Sequence, residues 1–130
     1  MKKLPDTNTI LSYFLHDNKE LFQEAFHYFE KVRTGEERAV VLECVFTEIV
    51  YVLIKFYKVP RMEISDKLKE FMLYRGIVNE DKDELNHALD IFSSSNLSIV
   101  DCILCAKAKS INFGIFSFDE KLNKLSKKEK

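Results

Sequence analysis

The chain has 130 residues and a formal charge of −1, with 46% hydrophobic and 32% charged residues. That balance excludes a disordered chain, and the near-zero charge removes the usual basic signature of a nucleic-acid-binding domain. With only three Gly and two Pro, there is little room for the many turns of a β-sandwich or small barrel.

Read in chain order, the pattern alternates. Residues 2–5 read as a short first strand and 7–15 as a helix. Residues 21–33 form a second helix, with Leu21, Phe22, Ala25, Phe26, Phe29 and Val32 at helical spacing and Gly35 placed as its C-terminal stop. Residues 39–42 read as a β-branched strand, 44–57 as a long helix ending before Pro60, 61–74 as a helix closed by Gly76, and 77–79 as a minimal strand. Helices follow over 83–93 and 98–110. Residues 115–118 read as a last strand, with a short helix over 120–125 after it. Strands separated by helices of this length imply parallel crossovers. The expectation is an α/β chain: a three-layer α/β/α sandwich about a short central sheet of about four parallel strands, whose ligands bind at the carboxyl ends of the strands. It forms one domain over 1–126. Four lysines fall between Lys124 and Lys130, so 127–130 reads as a solvated lysine-rich tail.

The longest apolar run, 49–54, is far too short to span a membrane, and no apolar core follows Lys2 and Lys3. The reading is therefore cytoplasmic, with no membrane partner. Cys44, Cys102 and Cys105 are an odd count and make no disulfide framework. Cys102-x-x-Cys105 has no second paired motif for zinc and reads as core; His27 and His87 read as boundary residues of amphipathic helices.

Four acids interrupt the pattern. Asp6 ends the first strand and Asp119 the last. Asp101 lies among Ile99, Val100, Cys102 and Ile103. Glu48 shares a narrow polar stripe with Thr47, Tyr51 and Lys55 on an otherwise apolar helix. Each has an ordinary structural reading: Asp6 as a helix cap, Asp101 as the fourth residue of a capping box begun by Ser98, Glu48 as the wet side of its helix, Asp119 as a turn residue. Gathered in one cleft, unpaired carboxylates would repel, and a hard divalent cation with oxygen ligands resolves this.

The segments Leu4-Pro5-Asp6-Thr7-Asn8, Thr47-Glu48-Ile49-Val50, Ile99-Val100-Asp101-Cys102 and Phe116-Ser117-Phe118-Asp119-Glu120-Lys121, in that order over nearly the whole chain, resemble the PIN-domain nucleases, and most of all the small VapC-type toxins. The resemblance implies a PIN-like fold and a Mg²⁺- or Mn²⁺-dependent endoribonuclease, the toxin of a toxin–antitoxin pair. It implies Asp6 and Asp101 as direct metal ligands, with Glu48 and Asp119 binding a second ion or positioning water. Asn8 and Ser117 would support the acids. Glu120 competes with Asp119 as the fourth acid, and the family pattern favours Asp119. Phosphate contacts are expected from Lys121, Lys107 and Arg61. The implied partners are an RNA substrate, a small antitoxin and a second copy of the chain, for which the apolar excess on 21–33 and 44–57 offers surface. Two other readings stay open: a PIN nuclease in housekeeping RNA processing, and a PIN-like binding module without metal. A phosphoacceptor receiver domain is disfavoured because Asp6-Thr7 lacks the paired acids it needs.

Overall fold

The structure, a computed structural model, describes residues 1–129. Its elements alternate in the expected order. They are β1 (Lys2–Lys3), α1 (Thr7–Leu15), α2 (Lys19–Thr34), β2 (Arg38–Ala39), α3 (Glu43–Lys55), α4 (Arg61–Met72), α5 (Lys82–Ser94), α6 (Ile99–Ile111) and α7 (Glu120–Glu129).

The helices stop and start where side chains can bond the free backbone groups of a helix end. Asp6, Asn18 and Ser98 cap α1, α2 and α6 through their side chains. Asn18 draws the start of α2 back to Lys19, two residues before the first apolar position. Gly35 closes α2 at φ 89°, as expected from a residue without a Cβ. At the end of α6 the left-handed residue is Asn112, not Gly114. Helix α7 does not end at Leu125 but runs through Lys127 and Lys128 to Glu129, so the expected tail is helical over that stretch.

The sheet is parallel, as expected, and smaller. Lys2 pairs with Arg38 and Lys3 with Ala39, and the other side of Ala39 is met by a single parallel bridge to Ile77. The hub is Ala39: its N–H donates to Gly76 O over 2.7 Å, its carbonyl accepts from Val78 N–H over 3.0 Å, and Val40 N–H donates to Lys3 O over 3.0 Å. Past the bridge a side chain replaces the strand. Asn79 accepts from Val41 N–H through Oδ1 and returns Nδ2 to Val41 O, over 2.9 and 2.7 Å.

The expected last strand, 115–118, pairs with nothing among the described residues. Its backbone is engaged locally instead: Asp119 N–H donates to Ser117 Oγ over 3.0 Å, and Asn123 Nδ2 donates to Ser117 O over 3.0 Å. Such short-range bonds compete with a ladder for the same groups. The short central parallel sheet of an α/β fold is therefore present as expected, and only its count of about four strands is corrected, to two strands and one bridge among the described residues.

The core is set by the helices. Phe29, Phe46, Phe71 and Phe92 are fully buried with Ile10, Ile49, Ile64, Leu68, Leu85 and Leu89. Helix α5 lies against both α4 and α6, α1 against α2, and α3 touches α1, α4 and α6. Gly76 is buried where the chain leaves α4: its N–H donates to Val32 O over 2.7 Å, and a Cβ there would lie 2.6 Å from that oxygen and closer still to Glu37 O. Glycine is required by this close approach rather than by φ.

Candidate functional site

Two open clefts at the ends of the strands and helices hold most of the expected residues. The larger, about 710 Å³, lies between α3, α6 and the segment 113–117, and its walls include Glu43, Asp101, Lys107, Phe116 and Ser117. The second, about 550 Å³, is bounded by β1, the start of α1 and α2, and holds Asp6 and Asn8. Glu48 and Asp119 line neither of the two.

All four acids adopt their ordinary structural roles. Asp6 follows Pro5, just past the end of β1, and its Oδ1 accepts from Thr9 N–H over 2.9 Å. The side chain and backbone N–H of Thr9 hold the Asp6 carboxyl below the usual range, because both bonds favour the charged form. Asp101 donates its N–H to Ser98 Oγ over 3.2 Å in the first turn of α6. Asp119 caps α7, its Oδ1 accepting from Leu122 N–H over 3.1 Å. Glu48 is exposed on α3, on the stripe whose member Thr47 lines the larger cleft together with Cys44.

These roles leave donor atoms over. Capping uses one oxygen of Asp6 and one of Asp119, and among the described residues no hydrogen bond or ion pair engages the carboxylates of Glu48 or Asp101. An all-oxygen set of this kind suits a hard cation such as Mg²⁺ or Mn²⁺. The placement is looser than the chemistry: among the described residues, no three His, Cys, Asp or Glu side chains come together as a group able to hold one ion. The structure thus brings Asp6 to Asn8 and Asp101 to Ser117, and does not bring the four acids into one shell.

The expected cations divide. Lys121 is exposed on the first turn of α7. Lys107 is held 3.4 Å from Glu84 Oε2, and Glu84, Glu43 and Asp81 together raise its pKa above the ordinary lysine value. Arg61 is tied inward. Its Nε donates to Phe92 O over 2.9 Å, a terminal nitrogen donates to Leu97 O, and the guanidinium lies 3.8 Å from the Phe92 ring centre. It joins α4 to α5 and to the α5–α6 connection.

Sequence reasoning missed two residues. Glu43, in the first turn of α3, shares the cleft with Asp101; its position directly after the second strand, at the carboxyl edge, was the available signal. Asn79 fixes that same edge through both bonds to Val41. Cys102 and Cys105 are core residues, as expected, and burial pushes the Cys102 thiol up to about 11.

The PIN domain family model matches residues 3–128. The chain belongs to the PIN domain family. It is also similar to a protein named VapC ribonuclease from Aquifex aeolicus (strain VF5), with 29% identity over 124 residues, covering 95% of this chain and 91% of that protein. No solved structure gives a significant match. Membership of the PIN family agrees with the α/β alternation and the parallel sheet, and no described helix is long and apolar enough to cross a membrane.

Proposed function

We propose that this PIN domain is an endoribonuclease dependent on Mg²⁺ or Mn²⁺, acting as the toxin of a toxin–antitoxin pair in the cytoplasm. The observation that carries this reading is the family match over 3–128, a span that contains Asp6, Glu48, Asp101 and Asp119 together with Asn8 and Ser117. The similarity to a VapC ribonuclease along nearly all of both chains supports the toxin assignment.

Asp6 and Asp101 are the proposed direct ligands, with Glu48 and Asp119 at a second ion or its water. When bound, such an ion lowers the pKa of water and neutralises charge on a phosphodiester. The chain's own residues orient the rest. The Thr9 cap keeps Asp6 ionised and fixes its rotamer; Ser117 holds the backbone that leads into Asp119; Lys121 meets phosphate. Asp6, Glu48, Asp101 and Asp119 would hold the ion, which would offset the charge of the acids and of the RNA phosphate.

The proposed protein partners are the antitoxin and a second copy of the chain. Leu21 and Phe26 on α2, and Tyr51 on α3 with Phe56 and Tyr57 just beyond it, are exposed and offer them apolar surface. Residues 1–126 remain the proposed domain.

The test is digestion of total cellular RNA by the purified protein in Mg²⁺, in Mn²⁺ and in EDTA, beside Asp101→Asn. Discrete, metal-dependent fragments that vanish in the variant are the expected result. Absence of cleavage together with absence of Mn²⁺ binding would overturn the enzyme reading in favour of a metal-free binding module. A small antitoxin gene beside this one separates the toxin from a housekeeping nuclease.

A further inference from the structure

Phe116 and Phe118 are 90% and 92% exposed, and their rings meet edge to face with centroids 5.5 Å apart. Two phenylalanines so bare beside a candidate active site need a physical account. The two rings pack on each other, while the Ser117 Oγ between them in sequence accepts from the Asp119 N–H. The backbone that carries them is tied down at both ends. Phe113 N–H donates to Ala108 O over 2.9 Å, and Ser117 bonds the Asp119 N–H and the Asn123 side chain. The rings are displayed on an anchored segment.

Their surroundings select the occupant. Phe116 forms part of the wall of the cleft that holds Asp101, and Phe118 directly precedes Asp119. Beyond them, α7 presents Lys121, Lys124, Lys127 and Lys128, all exposed and, among the described residues, in no ion pair. Open aromatic faces followed by a row of cations match a strand whose bases stack and whose phosphates are negative. An apolar protein surface would satisfy the rings and leave the lysines without partners.

We infer that Phe116 and Phe118 are a base-stacking platform that holds unpaired bases of an RNA strand beside Asp101 and Asp119, with the α7 lysines along its phosphates. This rests on the ribonuclease reading for the identity of the strand, and adds the two residues on which its bases would stack.

The chain contains no tryptophan, so Phe116→Trp and Phe118→Trp each introduce a unique fluorophore. Both are made in an Asp101→Asn background to keep RNA intact, and titrated in Mg²⁺ with a 12-nucleotide single-stranded RNA, an abasic ribose–phosphate chain of equal length, and an RNA duplex. Stacking predicts emission quenched by the single strand and unchanged by the other two. Phe116→Ala/Phe118→Ala should bind the single strand about tenfold or more weakly, with unchanged melting temperature and an unchanged slope of affinity against salt. The proposal is overturned by equal quenching with the abasic chain, by full binding in the double alanine variant, or by emission already blue-shifted without RNA in proportion to protein concentration, which would mean a second copy covers the rings. Because binding is read without cleavage, a protein that stacks RNA and never cuts it sinks the nuclease reading alone. One that cuts RNA with the rings removed, at undiminished affinity, sinks the platform alone.

Discussion

The backbone N–H of Thr9 donates to Oδ1 of Asp6 over 2.9 Å, and this single bond makes one carboxylate both a helix cap and a candidate metal ligand. The two roles separate by substitution. Asparagine caps as well as aspartate, so Asp6→Asn should melt within about 2 °C of the wild type while losing cleavage by about a hundredfold or more. Asp6→Ala loses both, with about 1 kcal/mol of stability. Thermal melts beside the RNA digestion check the pair.

The Thr9 side chain, and after it this backbone bond, give a pH dependence of known sign. Thr9 lowers the Asp6 pKa in the folded state, so on acidification the unfolded chain takes up the proton first. The contribution is fully present above the unfolded value of about 3.9 and is lost as pH falls through the lower folded pKa. Melting temperatures measured from about pH 5 down to pH 2 should fall less steeply in Asp6→Asn than in the wild type.

Arg61, a candidate phosphate contact by sequence, is instead a brace. Arg61→Ala removes two charge-assisted bonds to carbonyls and a cation–π contact with Phe92, about 2–3 kcal/mol together. The melting temperature should fall by about 10 °C, and the salt dependence of RNA binding should not change. By contrast, Lys121→Ala should reduce that salt slope by about one and leave the melting temperature alone.

Two glycines predict opposite outcomes. Gly76→Ala drives a methyl group into Val32 O and Glu37 O and should cost about 3 kcal/mol or more. At Gly114 nothing lies within 4 Å of the point a methyl carbon would occupy, so alanine should be accepted there without loss. Urea unfolding of the two variants distinguishes them.

The helices were legible because their signals are local. The apolar spacing of 21–33, the stop Gly35 and the box opened by Ser98 all act within a turn or two of the chain. Sheet size was not, since a strand exists only if a distant partner reaches it. Residues 115–118 have strand composition, yet Ser117 finds its bonds in Asp119 and Asn123, six residues away at most. The acids were legible as residues, and their caps followed from the sequence. That Asp6 and Asp101 lie in different clefts, and Glu48 and Asp119 in neither, was not, because spacing along a chain says nothing of how far strand ends are drawn together. The bonds of Arg61 to Phe92 and Leu97 were not legible for a related reason: those partners lie 31 and 36 residues away.

Ala39 links three stretches of chain that lie more than thirty residues apart, and those links are a matter of timing as well as shape. Helices form from near neighbours in microseconds, while contacts between distant segments wait for the loops between them to close. The clasp at Ala39 is therefore expected to fasten after the individual helices have formed. A lesion there would leave the speed of folding almost untouched and shorten the lifetime of the folded protein.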